Sequence, residues 1–126
     1  MKRERVVAVV DDDESVRTAL NSLLKSFDLE VDLFPSAEAL LAHGGLDEVG
    51  CLLTDVVMPG LDGFQLCREL RARGYTFPVI FMTAHKREGY AEMAAQAGVA
   101  CLLNKPFSTQ DMMRCIAQAL RCPPFV

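Results

Sequence analysis

Residues 51–63 read Cys-Leu-Leu-Thr-Asp-Val-Val-Met-Pro-Gly-Leu-Asp-Gly. The stretch opens on a short apolar run, Cys51 to Thr54, and meets a carboxylate at Asp55. The turn formers Pro59, Gly60, Asp62 and Gly63 follow. Phe64, Leu66, Cys67 and Leu70 then fall at helical spacing. An apolar run this short, bounded by turn residues, predicts a buried strand rather than a helix fragment. Strand, acid, turn and helix together make one repeat of a parallel α/β sheet.

The same unit recurs on both sides. Val6 to Val10, Val31 to Phe34, Pro78 to Thr83 and Ala100 to Leu103 are further short apolar runs. Most lack polar alternation, which suits a sheet covered on both faces. Between them lie amphipathic segments. Val16, Leu20, Leu23, Leu24 and Phe27 mark a first helix, with Asp13 or Glu14 near its start. Ala37, Leu40 and Leu41 mark a second, with Ser36 as N-cap. Tyr90, Met93, Ala94 and Ala97 mark a fourth, closed by Gly98. Met112, Met113, Ile116, Ala117 and Leu120 mark a fifth, capped by Ser108 or Thr109. The order is βα five times over, so the sequence predicts a parallel sheet with right-handed crossovers and helices on both faces. One domain at 1–121 accounts for the pattern. Residues 122–126 are expected to be a tail or the start of a linker, because Pro123 and Pro124 cannot continue a helix.

In a parallel sheet, strand ends of one polarity share one rim. Asp11 and Asp12 follow the first strand, Asp55 the third, Thr83 the fourth, and Lys105 comes within two residues of the fifth. Ligands of open α/β sheets bind at that rim. Three carboxylates at close range cannot all stay ionised without counter-charge. A hard divalent cation supplies it, and an oxygen-only donor set suits Mg2+. Lys105 brings a second positive charge. Such a site is built for a dianion arriving beside Asp55, and aspartate is a nucleophile toward phosphoryl groups. Phosphoryl transfer asks mainly for alignment and charge neutralisation, which metal and lysine provide. Taken singly, each part has a plainer reading. The acids at 11–14 suit a helix N-terminus, Asp55 a turn, Thr83 a strand end, and Lys105 a solvated surface. The joint placement at successive strand ends is what favours chemistry.

The bulk composition narrows the alternatives. With 126 residues the chain is long enough for one core without metal or disulfide staples. A net charge of −4, with no basic cluster, argues against a nucleic-acid surface. No apolar run reaches the length of a bilayer span, and Val6 to Val10 is too short for a signal peptide core. Cys51, Cys67, Cys101, Cys115 and Cys122 form no C-x-x-C pair and no zinc spacing. All five are expected reduced, and the compartment cytoplasmic.

Four stretches carry a resemblance to a known family. They are Val-Val-Asp-Asp-Asp at 9–13, Leu-Thr-Asp-Val-Val-Met-Pro-Gly-Leu-Asp-Gly at 53–63, Phe-Met-Thr-Ala at 81–84 and Asn-Lys-Pro-Phe at 104–107. In this order and spacing the chain resembles the receiver domains of two-component response regulators over nearly its full length. The phrasing around 53–63 and 104–107 looks most like the nitrogen-fixation type of transcriptional regulator. The resemblance implies a flavodoxin-like, doubly wound five-stranded sheet of order 2-1-3-4-5. It implies that Asp55 is phosphorylated by a sensor histidine kinase or a small phosphodonor, with no further enzymatic turnover. It implies Mg2+ held by Asp12, Asp55 and the Val57 carbonyl, with Asp11 acting through water. Thr83 would turn toward the phosphoryl group and Lys105 pair with its oxygens, and the Lys105–Pro106 bond would be cis. The new charge would bias a surface made of helix four, strand five and helix five, which meets an effector domain or a second copy of the chain. The parent protein would be a transcription regulator, while this chain itself contacts neither nucleic acid nor membrane.

One position departs from the family pattern. Many receivers carry an aromatic residue three before the strand-five lysine, and here it is Leu102. Thr83 is expected to move all the same, with the surface readout muted or carried by other residues. Val57 and His85 are family-variable positions beside the phosphoryl group; Val57 offers a water no side-chain hydrogen bond, and His85 is expected to point outward. Two rival readings remain. An aspartyl-phosphate phosphatase would carry a second acid where Val57 stands. A receiver-like module that never accepts phosphate would not keep the full acidic set with Lys105.

Overall fold

The computed structural model describes residues 6–84 and 89–121. Five strands and five helices alternate: β1 (Val6–Val10), α1 (Glu14–Lys25), β2 (Glu30–Phe34), α2 (Ala37–Leu41), β3 (Val49–Asp55), α3 (Gly63–Ala72), β4 (Val79–Thr83), α4 (Tyr90–Gln96), β5 (Cys101–Asn104) and α5 (Thr109–Arg121). A 3-10 turn at Leu46–Glu48, not anticipated from the sequence, leads into β3. All strand pairs are parallel and the sheet order is β2-β1-β3-β4-β5, the doubly wound order that the resemblance implies.

The sheet divides the apolar interior in two. β1, β3 and β4 are buried along almost their whole length, and successive side chains alternate between the layers. Ala8, Val10, Leu52 and Phe81 pack with α2, α3 and α4. Val7, Val9, Leu53, Ile80 and Met82 pack with α1 and α5. Each helix inserts its apolar stripe into one layer: Leu20 and Leu24 from α1, Leu66 and Leu70 from α3, and Met112 and Ile116 from α5.

Local chemistry fixes the helix starts. The Asp13 carboxylate accepts from the Ser15 and Val16 amides at 2.9 and 3.4 Å, resolving the choice between Asp13 and Glu14. Ser36 caps α2 through the Ala39 amide. Asp62 and Gln65 make a reciprocal capping box on α3. Ser108, rather than Thr109, accepts from the Asp111 amide at the start of α5. Gly98 follows α4 at φ 77°, the left-handed conformation that an L side chain resists. The Lys105–Pro106 peptide bond is cis.

The structure differs from the sequence reading at several points. β3 starts two residues earlier and ends one later, so Asp55 is its last residue. α1 stops at Lys25, and the chain turns through Asp28 at φ 65°, which leaves Phe27 47 % exposed. Met93, placed on the core stripe of α4, is 47 % exposed while Ala94 is buried; Ala117 faces solvent and Cys115 and Ala119 fill its place. The cysteines are not all free thiols. Cys101 on β5 is joined to Cys115 on α5, with Cα atoms 6.1 Å apart. Their separation of 14 residues carries no pairing signal; the packing of α5 back onto β5 brings them together. Cys51 and Cys67 are free and buried. Cys122, the tail at 122–126 and His85 lie outside the described residues. Among the described residues no helix is long and apolar enough to cross a membrane.

Candidate functional site

Strand register delivers the site. Val10 pairs with Phe34 on one side and Thr54 on the other, Asp55 pairs with Met82, and Thr83 with Asn104. The residues that follow these positions therefore emerge along one edge. The backbone continues the ladder past the strand ends. The Asp11 amide donates to the Phe34 carbonyl at 3.2 Å, that of Val56 to Met82 at 2.9 Å and that of Lys105 to Thr83 at 2.8 Å.

On this edge Asp11, Asp12 and Asp55 each offer a carboxylate oxygen, all within 4.8 Å of one another. Asp11 is fully buried, Asp55 is 8 % exposed, and Asp12 faces solvent. Lys105 Nζ reaches in from the far side, 2.9 Å from Asp11 Oδ2 and 3.4 Å from Asp55 Oδ2. Asp11 is held further by the Asp13 amide, which donates to its Oδ1 at 2.9 Å, and by Arg17, which donates to its carbonyl at 2.6 Å. Thr83 is buried at the end of β4.

Electrostatics follow from this packing. Burial raises the Asp55 pKa, and the neighbouring Asp11 charge adds to that rise. Lys105 and the Val57 amide oppose it without cancelling it. Burial alone would lower the Lys105 pKa, but the hydrogen bond to Asp11 and the two carboxylate charges outweigh it, so the ammonium titrates above the ordinary lysine value. With the three acids ionised, one ammonium leaves two negative charges on one side of the cluster. Mutually close oxygen donors, one on the open face, fit a hard dication that retains waters. The donor set holds no nitrogen or sulfur and so does not favour zinc.

The residues expected from the sequence at Asp11, Asp12, Asp55, Thr83 and Lys105 thus share one edge, and Val57 borders it at 43 % exposure. Leu102 points into the layer that contains Phe64, Tyr90 and Ala94 rather than into the acidic cluster. Three supporting residues went unforeseen. Arg17 acts through backbone, so its place among other α1 charges gives no signal. Glu38 on α2 accepts from the Leu61 amide at 3.0 Å across 23 residues, fastening the loop that follows Asp55. Gly63 starts α3 so close to β3 that a Cβ would meet the Asp55 carbonyl oxygen and Val56 Cα at 3.0 Å. A glycine after a turn was legible; the close approach that requires it was not.

Comparison with known proteins places this arrangement. A profile described as the response regulator receiver domain matches residues 7–117. The chain is 38 % identical over 122 residues to the response regulator protein TmoT of Ectopseudomonas mendocina, covering 97 % of this chain and 56 % of TmoT. It is 40 % identical over 116 residues to the transcriptional regulatory protein FixJ of Bradyrhizobium diazoefficiens, covering 91 % of this chain and 56 % of FixJ. The chain therefore spans about half the length of these relatives. Among solved structures, the response regulator StyR superposes with a TM-score of 0.87 at 39 % identity, over 93 % of this chain and 59 % of StyR. The crystal structure of FixJ-N gives a TM-score of 0.83 at 34 % identity, over 92 % and 93 % of the two chains.

Proposed function

The chain belongs to the response regulator receiver domain family, and on that premise we propose that Asp55 accepts a phosphoryl group from a sensor histidine kinase in a Mg2+-dependent reaction. The observation that carries this reading is the edge cluster itself: three carboxylate oxygens within 4.8 Å of one another, with Lys105 Nζ 3.4 Å from Asp55.

In this reading Asp12, Asp55 and the Val57 carbonyl would hold the metal, with Asp11 acting on it through water. When bound, the metal neutralises phosphoryl oxygens and aligns them. The chain's own groups do the rest. A carboxylate oxygen of Asp55 attacks phosphorus, and the leaving group departs in line. Lys105 exchanges its bond to Asp55 for one to a phosphoryl oxygen. Thr83 turns its hydroxyl toward the same group. Leu102 stays packed against the layer that holds Ala94, so the surface of α4, β5 and α5 is biased through Thr83 without an aromatic swing. That surface then addresses an effector domain or a second copy of the chain, and the whole protein regulates transcription in the cytoplasm.

Intact mass spectrometry after incubation with acetyl phosphate tests the proposal. One phosphoryl group should be added with Mg2+ present, and none with EDTA or in Asp55→Ala. Labelling that survives Asp55→Ala would sink it, as would steady turnover of a phosphate ester.

A further inference from the structure

Two sulfurs stand apart from everything the acidic edge uses. Cys101 opens β5, an edge strand, and Cys115 lies on the inner face of α5. Their Cα atoms are 6.1 Å apart, inside the range that a disulfide spans without backbone movement. Both border a cleft of 360 Å³ between β5 and α5, together with Phe107, Ser108, Asp111 and Arg114. Cys101 is partly exposed, and Cys115 is 7 % exposed. A small thiol or disulfide entering that cleft reaches Cys101 first. The other two described cysteines offer no such access: Cys51 is fully buried, with its thiol pushed up to about 12, and Cys67 is 2 % exposed. Neither supplies the thiolate that exchange needs.

The reduced pair also fits the fold. Two thiols at these positions are small apolar groups within the layer formed with Leu103, Met112 and Ile116. Neither redox state therefore leaves a buried polar group unsatisfied. The segment enclosed between the two sulfurs contains Lys105, Pro106 and Ser108, which carry the edge ammonium and the α5 cap.

We propose that Cys101 and Cys115 are a reversible redox modification site, a dithiol that small-molecule disulfides convert to the disulfide clasping α5 to β5. The Cys101 thiolate attacks one sulfur of the small disulfide, forming a mixed disulfide and releasing one small thiolate. The Cys115 thiolate then attacks the Cys101 sulfur, closing the protein disulfide and releasing the second. Two electrons and two protons pass from the pair to the small disulfide, which ends as two thiols. A reducing compartment keeps the pair open, and oxidation closes it. The inference does not depend on phosphoryl transfer at Asp55.

The test equilibrates the purified chain in glutathione buffers from fully reduced to fully oxidised, followed by acid quench, denaturation, alkylation and intact mass measurement. The expected result is a two-electron transition in which modifiable cysteines fall from five to three, with peptide mapping locating the link at Cys101 and Cys115. Oxidation should also raise Tm by about 10 °C, because the closed loop restricts the unfolded chain. Cys115→Ser should abolish the transition and leave Cys101 as a stable glutathione adduct. Five modifiable cysteines across the whole range would overturn the proposal, and so would a link through any other cysteine or oxidation only between chains. The measurement on the unaltered chain decides this even if a variant fails to fold.

Discussion

The Lys105 ammonium stands 2.9 Å from the Asp11 carboxylate. Its distance to Asp55 is 3.4 Å, so the lysine leans on the buried acid rather than on the proposed nucleophile. Under the proposed function, lysine and a metal would compete for the same carboxylates before any phosphoryl group arrives. Lys105→Ala should raise Mg2+ affinity roughly tenfold, by the Coulomb cost of placing a dication beside a fixed positive charge. It should also lower folding stability by about 2–3 kcal/mol, since Asp11 loses a charged hydrogen bond while fully buried. Calorimetric titration reads the first and denaturant unfolding the second; unchanged or weaker Mg2+ binding would contradict the competition.

Asp55 is raised by burial, and its sign in the stability curve follows. A carboxyl that prefers its proton in the folded state contributes stability below the unfolded pKa, and that contribution disappears as pH rises through the folded pKa. At neutral pH without Mg2+, Asp55→Asn should therefore raise Tm, by about 3 °C. The gain should shrink as pH falls through the raised folded pKa and be gone below the ordinary carboxylate range, and Mg2+ should stabilise the natural chain more than the variant. Thermal scans at several pH values check this, and a gain that grows on acidification would refute it.

Gly63 lies against β3 where an added Cβ would be tightly crowded. The two atoms that a Cβ would meet at 3.0 Å are backbone atoms of Asp55 and Val56, which cannot rotate away as a side chain could. Gly63→Ala should cost about 1–3 kcal/mol and should slow phosphoryl labelling by shifting Asp55. Equal labelling rates at full stability would show that the contact yields freely.

Glu38 fastens the loop after Asp55 through the Leu61 amide. Glu38→Ala should cost about 0.5–1 kcal/mol and raise hydrogen exchange at Leu61 more than at amides of β1. Exchange at Leu61 identical to that of the natural chain would remove Glu38 from the account of the loop.

Cys51 carries a thiol pushed up to about 12 and no exposed surface. Its alkylation by iodoacetamide at pH 8 should follow global unfolding rather than local opening. Peptide-resolved labelling under native conditions should leave Cys51 unmodified, and prompt modification would place it on a mobile part of β3.

The order of elements and the acidic edge were legible because both rest on short-range patterns. Unbroken apolar runs mark central strands, and the first residues after them must share a rim. Asp13, Ser36 and Ser108 could be read as caps, or as one of two candidates, because capping is a local bond. What stayed hidden depends on distance along the chain. Nothing near Glu38 points to Leu61, and nothing near Cys101 points to Cys115. Phe27 and Met93 kept helical spacing but lost the core, one because its helix ended early and the other because α4 presents Ala94 instead.

The partition of the interior by the sheet makes it an insulator between two sets of mutations. Among the described residues, buried side chains that meet α1 and α5 form one cluster and those that meet α2, α3 and α4 another, so substitutions in one set should add to those in the other. A lineage can retailor one flank without retuning its opposite. β5 shows the same alternation at the margin of the sheet: Leu102 serves one layer and Cys101 and Leu103 the other. As the outermost strand, it brings the ends of both layers to one open side of the molecule.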